Sequence, residues 1–412
     1  MPWRDHYCAD HPAEVIAVSL ERVAKEIRYR RDLLELLVKA YGDRTLRVLE
    51  AVRRSPKEYA VRVNTLRTDA EEVMEHLYRM GVVCRRSEVL EEAVLIEVQG
   101  PFTVERMGKQ VVAEKGAAES VMMGSKLYAP GILRTDNYRV GGPVYITDIY
   151  DHVVGRGIAL IPPKVDDKKG RGLAVDTSET VYRLPPFREG ELYNKGMIRE
   201  QSLPAMITSR VLEPQGGETI VDMCAAPGGK ALHMAQLMGD KGTIYAFDHS
   251  DKRLNALRGD AERLGVHSIR VFCADARYLD RDFPTLKADR VLVDPPCSAL
   301  GVRPKLYEDA TVEEVLGCAR YQRQFLRVAS AIVKGGGTVV YSTCTLTTEE
   351  NEDVVRFAVE ELGLELEDQR IRVGEPGFGD PIFRRAQRFS PDLLEMPGYF
   401  IAKFRRSGGS QA

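Results

Sequence analysis

Glu218-Thr219-Ile220-Val221-Asp222-Met223-Cys224-Ala225-Ala226-Pro227-Gly228-Gly229-Lys230 is the stretch on which the reading of this chain turns. Its first four residues read as a short buried strand, and Ala231 to Met238 read as a helix. A tight Pro-Gly-Gly turn joins the two. Strand, glycine loop and helix together make the opening unit of a doubly wound sheet. Glycines let the backbone approach a ligand closely, and the first turn of the helix offers unpaired N–H groups.

Downstream the alternation continues. Strands are expected at Thr243–Phe247, Ile269–Cys273, Arg290–Val293 and Gly337–Tyr341, with helices over Arg253–Leu264 and Val312–Ile332. This order predicts an α/β fold built on a mostly parallel sheet with right-handed crossovers. Ligands of such sheets lie at the carboxyl ends of the strands. Here those ends carry Asp248, Asp275, Asp294 and the run Ser342-Thr343-Cys344.

The strand ends narrow the ligand. Asp248 stands 20 residues after Gly228, where a carboxylate suits the two hydroxyls of a ribose. Asp275 is placed to accept from an adenine amino group. The loop lacks the Gly-x-Gly-x-x-Gly pattern that grips a pyrophosphate. A nucleoside without pyrophosphate, such as S-adenosylmethionine, therefore suits the site better than NAD. Each acid taken singly also fits an ordinary helix N-cap.

Two cysteines follow strand ends, in Asp294-Pro295-Pro296-Cys297 and Thr343-Cys344-Thr345. A single buried cysteine is ordinarily inert packing. Two in loops that face one ligand suggest chemistry on a pyrimidine. Its carbon 5 is not nucleophilic by itself. A thiolate adding to carbon 6 makes carbon 5 able to attack an electrophilic methyl group. A second group must then take the carbon 5 proton so that the thiolate can leave.

These motifs, with Gln387-Arg388-Phe389-Ser390-Pro391 and the terminal run Gly398–Phe404, resemble the Sun-type RNA cytosine-5 methyltransferases over roughly 190–405. Arg62-Val63-Asn64-Thr65-Leu66 resembles the family's N-terminal RNA-contact strand. The resemblance implies a Rossmann-like methyltransferase sheet, mostly parallel with the last strand antiparallel. It implies Cys344 as nucleophile and Cys297 as the base or release residue. Asp294 would hold the cytosine amino group and ring nitrogen 3, with Lys230 beside the base. Cys224, Ala225, Ala226, Pro227, Gly228, Gly229 and Lys230, with Asp248, Arg253, Asp275 and Asp294, would hold S-adenosylmethionine. Ala231 stands where the family often has a hydroxyl residue, and Ala299 where a glycine is common.

The first half reads as two smaller units. Residues 1–92 are expected to form a helical and α/β RNA-contact module. Val15, Val18, Val23, Ile27, Leu33, Leu34 and Leu37 recur at helical spacing. A strand follows over Ala60–Leu66, then a helix over Ala70–Met80 capped by Thr68, and a returning strand at Val82–Cys84. Residues 93–183 alternate short strands with Gly and Pro, beginning at Ala93–Val98, which predicts a small barrel. Asp166–Gly172 reads as an exposed loop. The pattern from Ala113-Glu114-Lys115-Gly116 to Ala129-Pro130-Gly131 resembles the PUA domain, an RNA-binding barrel. A PUA-like barrel ahead of a methyltransferase domain at 184–412 resembles the subgroup that methylates transfer RNA near its acceptor end.

Composition bounds the partners. With a net charge of −2, the chain must gather basic residues on one face if it binds nucleic acid. Arg62, Arg67, Arg303, Lys305, Arg384, Arg385 and Arg388 are the candidates for phosphate, each also readable as a surface charge. No apolar run reaches the roughly 18 residues of a membrane span. No signal peptide opens the chain, so a cytoplasmic protein with reduced thiols is expected. No Cys/His cluster has zinc spacing, so no metal is expected. No long apolar surface pattern stands out, which predicts a monomer without an obligate protein partner. The competing readings are a ribosomal RNA methyltransferase, a DNA cytosine-5 methyltransferase attacking through Cys297, and a non-catalytic RNA-binding factor on the same fold.

Overall fold

The computed structural model describes Arg22, Lys25 and residues 28–163 and 171–408. The apolar positions Val15, Val18, Val23 and Ile27, and Asp166 to Gly170 of the expected loop, lie outside these. Among the described residues no helix is long and apolar enough to cross a membrane.

The second half builds one twisted sheet. Its strands run in the order Ile269–Cys273, Thr243–Asp248, Thr219–Asp222, Ala288–Val293, Val333–Thr343, Tyr399–Arg406, Gln387–Phe389 and Glu375–Pro376, with Leu364–Glu367 also on Tyr399–Arg406. The first five are parallel, and Tyr399–Arg406 joins antiparallel. Successive residues point to opposite faces, and helices cover both faces. Thus Val221, Val291 and Val339 enter one core, while Ile220, Leu292 and Val340 enter the other. Burial on both sides explains why these strands read as continuous apolar runs. The long helix Val312–Ile332 starts on a capping box: Thr311 Oγ1 accepts from Glu314 N, and the Glu314 carboxylate accepts from Thr311 N.

The first half differs from expectation in two places. Asp69, not Thr68, caps the helix Ala70–Arg79, accepting from Glu72 N at 2.9 Å. Thr68 spends its hydroxyl on the Glu72 carboxylate instead. The strand Ala93–Glu97 does not open the barrel. It pairs antiparallel with Glu58–Val63, so the boundary expected at 92/93 cuts through a sheet. That sheet also takes Cys84–Arg86 and, from beyond the barrel, Ile198–Glu200. Its strand Glu58–Val63 stops short of Leu66 because Asn64 turns the chain, donating to Gly196 O and Leu264 O.

The barrel is a six-stranded sheet running from Leu127–Tyr128 through Leu173–Thr180, Val153–Ala159, Pro143–Thr147 and Lys109–Ala113 to Ile132–Thr135. The helix Lys115–Met122 packs against it. Helices Arg31–Tyr41 and Thr45–Arg53 pack on Leu300 and Leu346, each three or fewer residues past one of the two motif cysteines.

Candidate active site

Strand order reverses between Thr219–Asp222 and Ala288–Val293, which opens a crevice at their carboxyl ends. A cavity of about 240 Å³ lies there. Cys224, Ala226, Asp248, Arg253, Asp275, Asp294, Cys297 and Cys344 all line it. Ala225, Pro227, Gly228, Gly229 and Lys230 do not; Lys230 reaches it through its contact with Asp294. Gly228 sits at φ +105°, a conformation that suits glycine. The carbonyl of Gly229 accepts from Arg62, and that of Pro227 from Arg199.

The loop is held to its neighbours by backbone bonds. Ala225 N donates to Phe247 O at 2.8 Å, and Ala226 N to the Asp248 carboxylate at 3.3 Å. Asp248 also accepts from Ser250 N at 2.9 Å, and Arg253 lies 3.5 Å away. Asp275 is clamped by the Arg277 guanidinium, which holds its carboxyl below the usual carboxylate range. Tyr321 and Phe325, one turn apart on the long helix, complete the apolar wall.

Asp294 is the hub of the polar side. Its Oδ2 accepts from Lys230 Nζ at 2.6 Å. Its Oδ1 accepts from Ser342 Oγ at 2.6 Å and Tyr399 OH at 3.2 Å. Burial disfavours a charged Lys230, but the adjacent Asp294 outweighs it and keeps the ammonium well above its ordinary pKa.

The two cysteines meet. Cys297 Sγ and Cys344 Sγ are 3.4 Å apart. Two thiols this close do not both ionise. A hydrogen bond from Cys297 lowers the pKa of Cys344, with help from Lys230 against the effect of burial. The same contact, with burial, pushes Cys297 up. Of the two, Cys344 is the sulfur favoured to ionise first, and Cys297 the one favoured to keep its proton. Burial, reinforced by Asp222 and Asp294, pushes the third thiol, Cys224, well above its ordinary value. The Cys297 loop is pinned by Glu350, which accepts from Ser298 N at 3.0 Å and Gln322 Nε2 at 2.8 Å.

Sequence reading missed Tyr321, Phe325, Tyr399, Gln322, Glu350 and the buried Asp222. On the long helix the aromatic pair has the spacing of core residues, so periodicity carries no hint of a site. Ser342 and Tyr399 lay inside quoted motifs without a role. Four proposed phosphate contacts are corrected. Arg62, Lys305 and Arg388 are buried, and the Arg303 side chain is 4% exposed. Arg388 pairs with Glu352 at 2.6 Å, and Arg303 donates to the backbone of Arg54 and Ser55. Arg384 and Arg385 are exposed.

S-adenosylmethionine fits these residues. The Asp248 carboxylate at the second strand end offers acceptors to vicinal hydroxyls, and the apolar wall of Tyr321 and Phe325 accommodates a flat base. The fold and crevice define an S-adenosylmethionine-dependent methyltransferase, and the paired thiols beside Asp294 suit the class that modifies carbon 5 of a pyrimidine.

The family model "16S rRNA methyltransferase RsmB/F" matches residues 209–405, its ferredoxin-like domain matches 32–103, and the PUA domain matches 109–180. The chain belongs to the RsmB/F, or Sun-type, family of RNA cytosine-5 methyltransferases, in the form that carries a PUA domain. It is 41% identical to the tRNA (cytosine(72)-C(5))-methyltransferase of Pyrococcus horikoshii, over 92% of this chain and 97% of that one. It is 31% identical to mouse NSUN6, which carries the same activity name, over 83% and 84% of the two chains. The crystal structure of NSun6 from Pyrococcus horikoshii with SFG, an S-adenosylmethionine analogue, superposes with a TM-score of 0.83 at 40% identity, covering 92% of this chain and 99% of that one. The protein is thus an S-adenosylmethionine-dependent RNA cytosine-5 methyltransferase.

Proposed function

We propose that its substrate is transfer RNA and that the target is a cytosine near the 3′ acceptor end. The relatives 29–41% identical over most of the chain are named for cytosine 72 of transfer RNA, whereas one 26% identical over 92% of the chain is named for ribosomal RNA. The target base must leave its stack to enter the crevice.

The observation that carries the mechanism is the 3.4 Å contact between Cys297 and Cys344, with the lower pKa on Cys344. Cys344 adds through its sulfur to carbon 6, opening the C5–C6 double bond and making carbon 5 nucleophilic. Asp294 accepts from the cytosine amino group, while Lys230 steadies the charge that develops on the ring. When bound, S-adenosylmethionine supplies the electrophilic methyl for carbon 5. Once Cys344 is tied up in a neutral thioether, the charge that kept Cys297 protonated is gone. Cys297 then gives up its own proton to solvent and, as thiolate, takes the carbon 5 proton, the double bond reforms and Cys344 leaves as thiolate. Asp248, Asp275, Arg253 and the Cys224–Lys230 loop hold the cofactor.

The test is covalent trapping. Cys297→Ala protein with cofactor and transfer RNA should form an RNA adduct that survives denaturing gels, because methylation proceeds and release stalls. Cys344→Ala should give neither adduct nor 5-methylcytosine. An adduct in the Cys344 variant would reverse the two roles. Methylation of ribosomal RNA but of no transfer RNA would overturn the substrate.

A further inference from the structure

The turn that follows Cys297 is strained and tethered. Ala299, two residues on, sits at φ +54°, in the left-handed region where a Cβ is unfavourable. Its carbonyl accepts from Lys305 Nζ at 3.1 Å and from Val302 N at 3.2 Å. Lys305 is only 6% exposed. Its ammonium also meets the buried Glu308 carboxylate at 2.5 Å. Glu308 in turn takes Lys115 of the barrel helix at 3.3 Å and the N–H groups of Asp309 and Ala310. A buried cation fixed by its own carboxylate is a rigid donor, and it is spent on one backbone oxygen of this turn. Beyond the turn, Gly301 N donates to Cys344 O at 2.9 Å.

We infer that Lys305 is a positioning residue for Cys297: it holds the left-handed Ala299 turn that keeps the Cys297 sulfur against Cys344. The inference rests on the proposed reading in which Cys344 carries the base and Cys297 frees it. The loop of Cys344 has its own supports, since Asn351 accepts from Thr343 Oγ1 at 2.6 Å and donates to Thr345 O. Loosening the Ala299 turn therefore leaves Cys344 in place; it weakens the Cys297 and Lys305 support for the Cys344 thiolate, but its larger effect is to slow the proton removal that releases the RNA.

The experiment uses the full chain with S-adenosylmethionine and transfer RNA. Lys305→Met should lower turnover about tenfold and accumulate a denaturation-stable RNA adduct carrying 5-methylcytosine, while Cys297 is still present. Cofactor affinity should stay within about twofold of wild type. Glycine adopts the left-handed turn without help, so adding Lys305→Met to an Ala299→Gly background should cost less than about threefold. This double variant, with Lys305→Met/Glu308→Gln to remove both buried charges, serves if Lys305→Met alone unfolds. A Lys305 role confined to stability would lower the melting temperature without raising the adduct fraction, and that result overturns the inference. Trapping by Cys297→Ala but not by Lys305→Met would reject the role of Lys305 alone. Trapping by neither would reject the two-cysteine reading with it.

Discussion

Asp222 ends the first strand of the sheet and is 1% exposed. Burial, with Asp294 nearby, pushes its carboxyl up to about 7. In the unfolded chain an aspartate titrates near about 4. As pH rises from about 4 to about 7 the native state holds a proton that the unfolded state has lost, so stability falls across that window and the loss is complete above it. Asp222→Asn should therefore raise the melting temperature at pH 8, with an upper bound of about 4 kcal/mol from three pKa units. The advantage over wild type should shrink as pH falls from 7 toward 4. A constant advantage across that range would show that titration of Asp222 is not its source. The same scale separates the thiols. Sequence put Cys297 and Cys344 in two ligand-facing loops, but the direction of each pKa comes from the partner sulfur and from Lys230, which no spacing rule reveals.

At the scale of elements, the loop after Cys297 is laced by a close backbone approach to the turn that enters the strand Tyr399–Arg406. Gly398 N donates to Gly301 O at 2.8 Å, and a Cβ on Gly301 would lie 2.3 Å from Gly398 O. Gly301→Ala must therefore displace a backbone that also holds Cys344. We expect methylation to fall at least about tenfold in single-turnover assays, with cofactor binding retained. An unchanged rate would mean that the cysteine loops do not depend on this contact. Elements with strong local signals matched their sequence reading, as the helix Val312–Ile332 shows. The helix at Ala70 was found but given the wrong cap, because Thr68 and Asp69 are both good caps and only the turn geometry chooses between them. Ala93–Glu97 was a correct strand in the wrong sheet, since its alternation fits either partner equally well.

Across the whole molecule, buried charges join the N-terminal sheet to the catalytic half. Glu92 is fully buried, accepts from Arg210 at 2.7 and 2.8 Å, and contacts His233 Nε2 at 2.8 Å. Arg62 and Arg199, paired across two strands of that sheet, reach the carbonyls of Gly229 and Pro227 behind the cofactor loop. Burial, with Arg199 alongside, brings the Arg62 pKa down to about 9. Glu92→Gln leaves Arg210 with Glu91 as its remaining acid, and His233 with a neutral partner. Arg210 is partly exposed, so the expected cost is about 2–3 kcal/mol, less than for a fully buried pair. Denaturant unfolding should show it as a lower midpoint at unchanged slope. A loss within error would mean that the sheet is held by its apolar contacts alone.

The sequence alone determined the alternating strands and helices, the glycine loop, and the acids and thiols at the strand ends. These follow from periodicity and turn chemistry, which act between residues a few positions apart. Only the tertiary structure decided that Arg62, Arg303, Lys305 and Arg388 are buried struts rather than phosphate contacts, that strands flanking the barrel share a sheet, and which sulfur is favoured to ionise. Those outcomes depend on through-space distance and exclusion of water between residues tens to hundreds of positions apart, and neither quantity is written in local sequence.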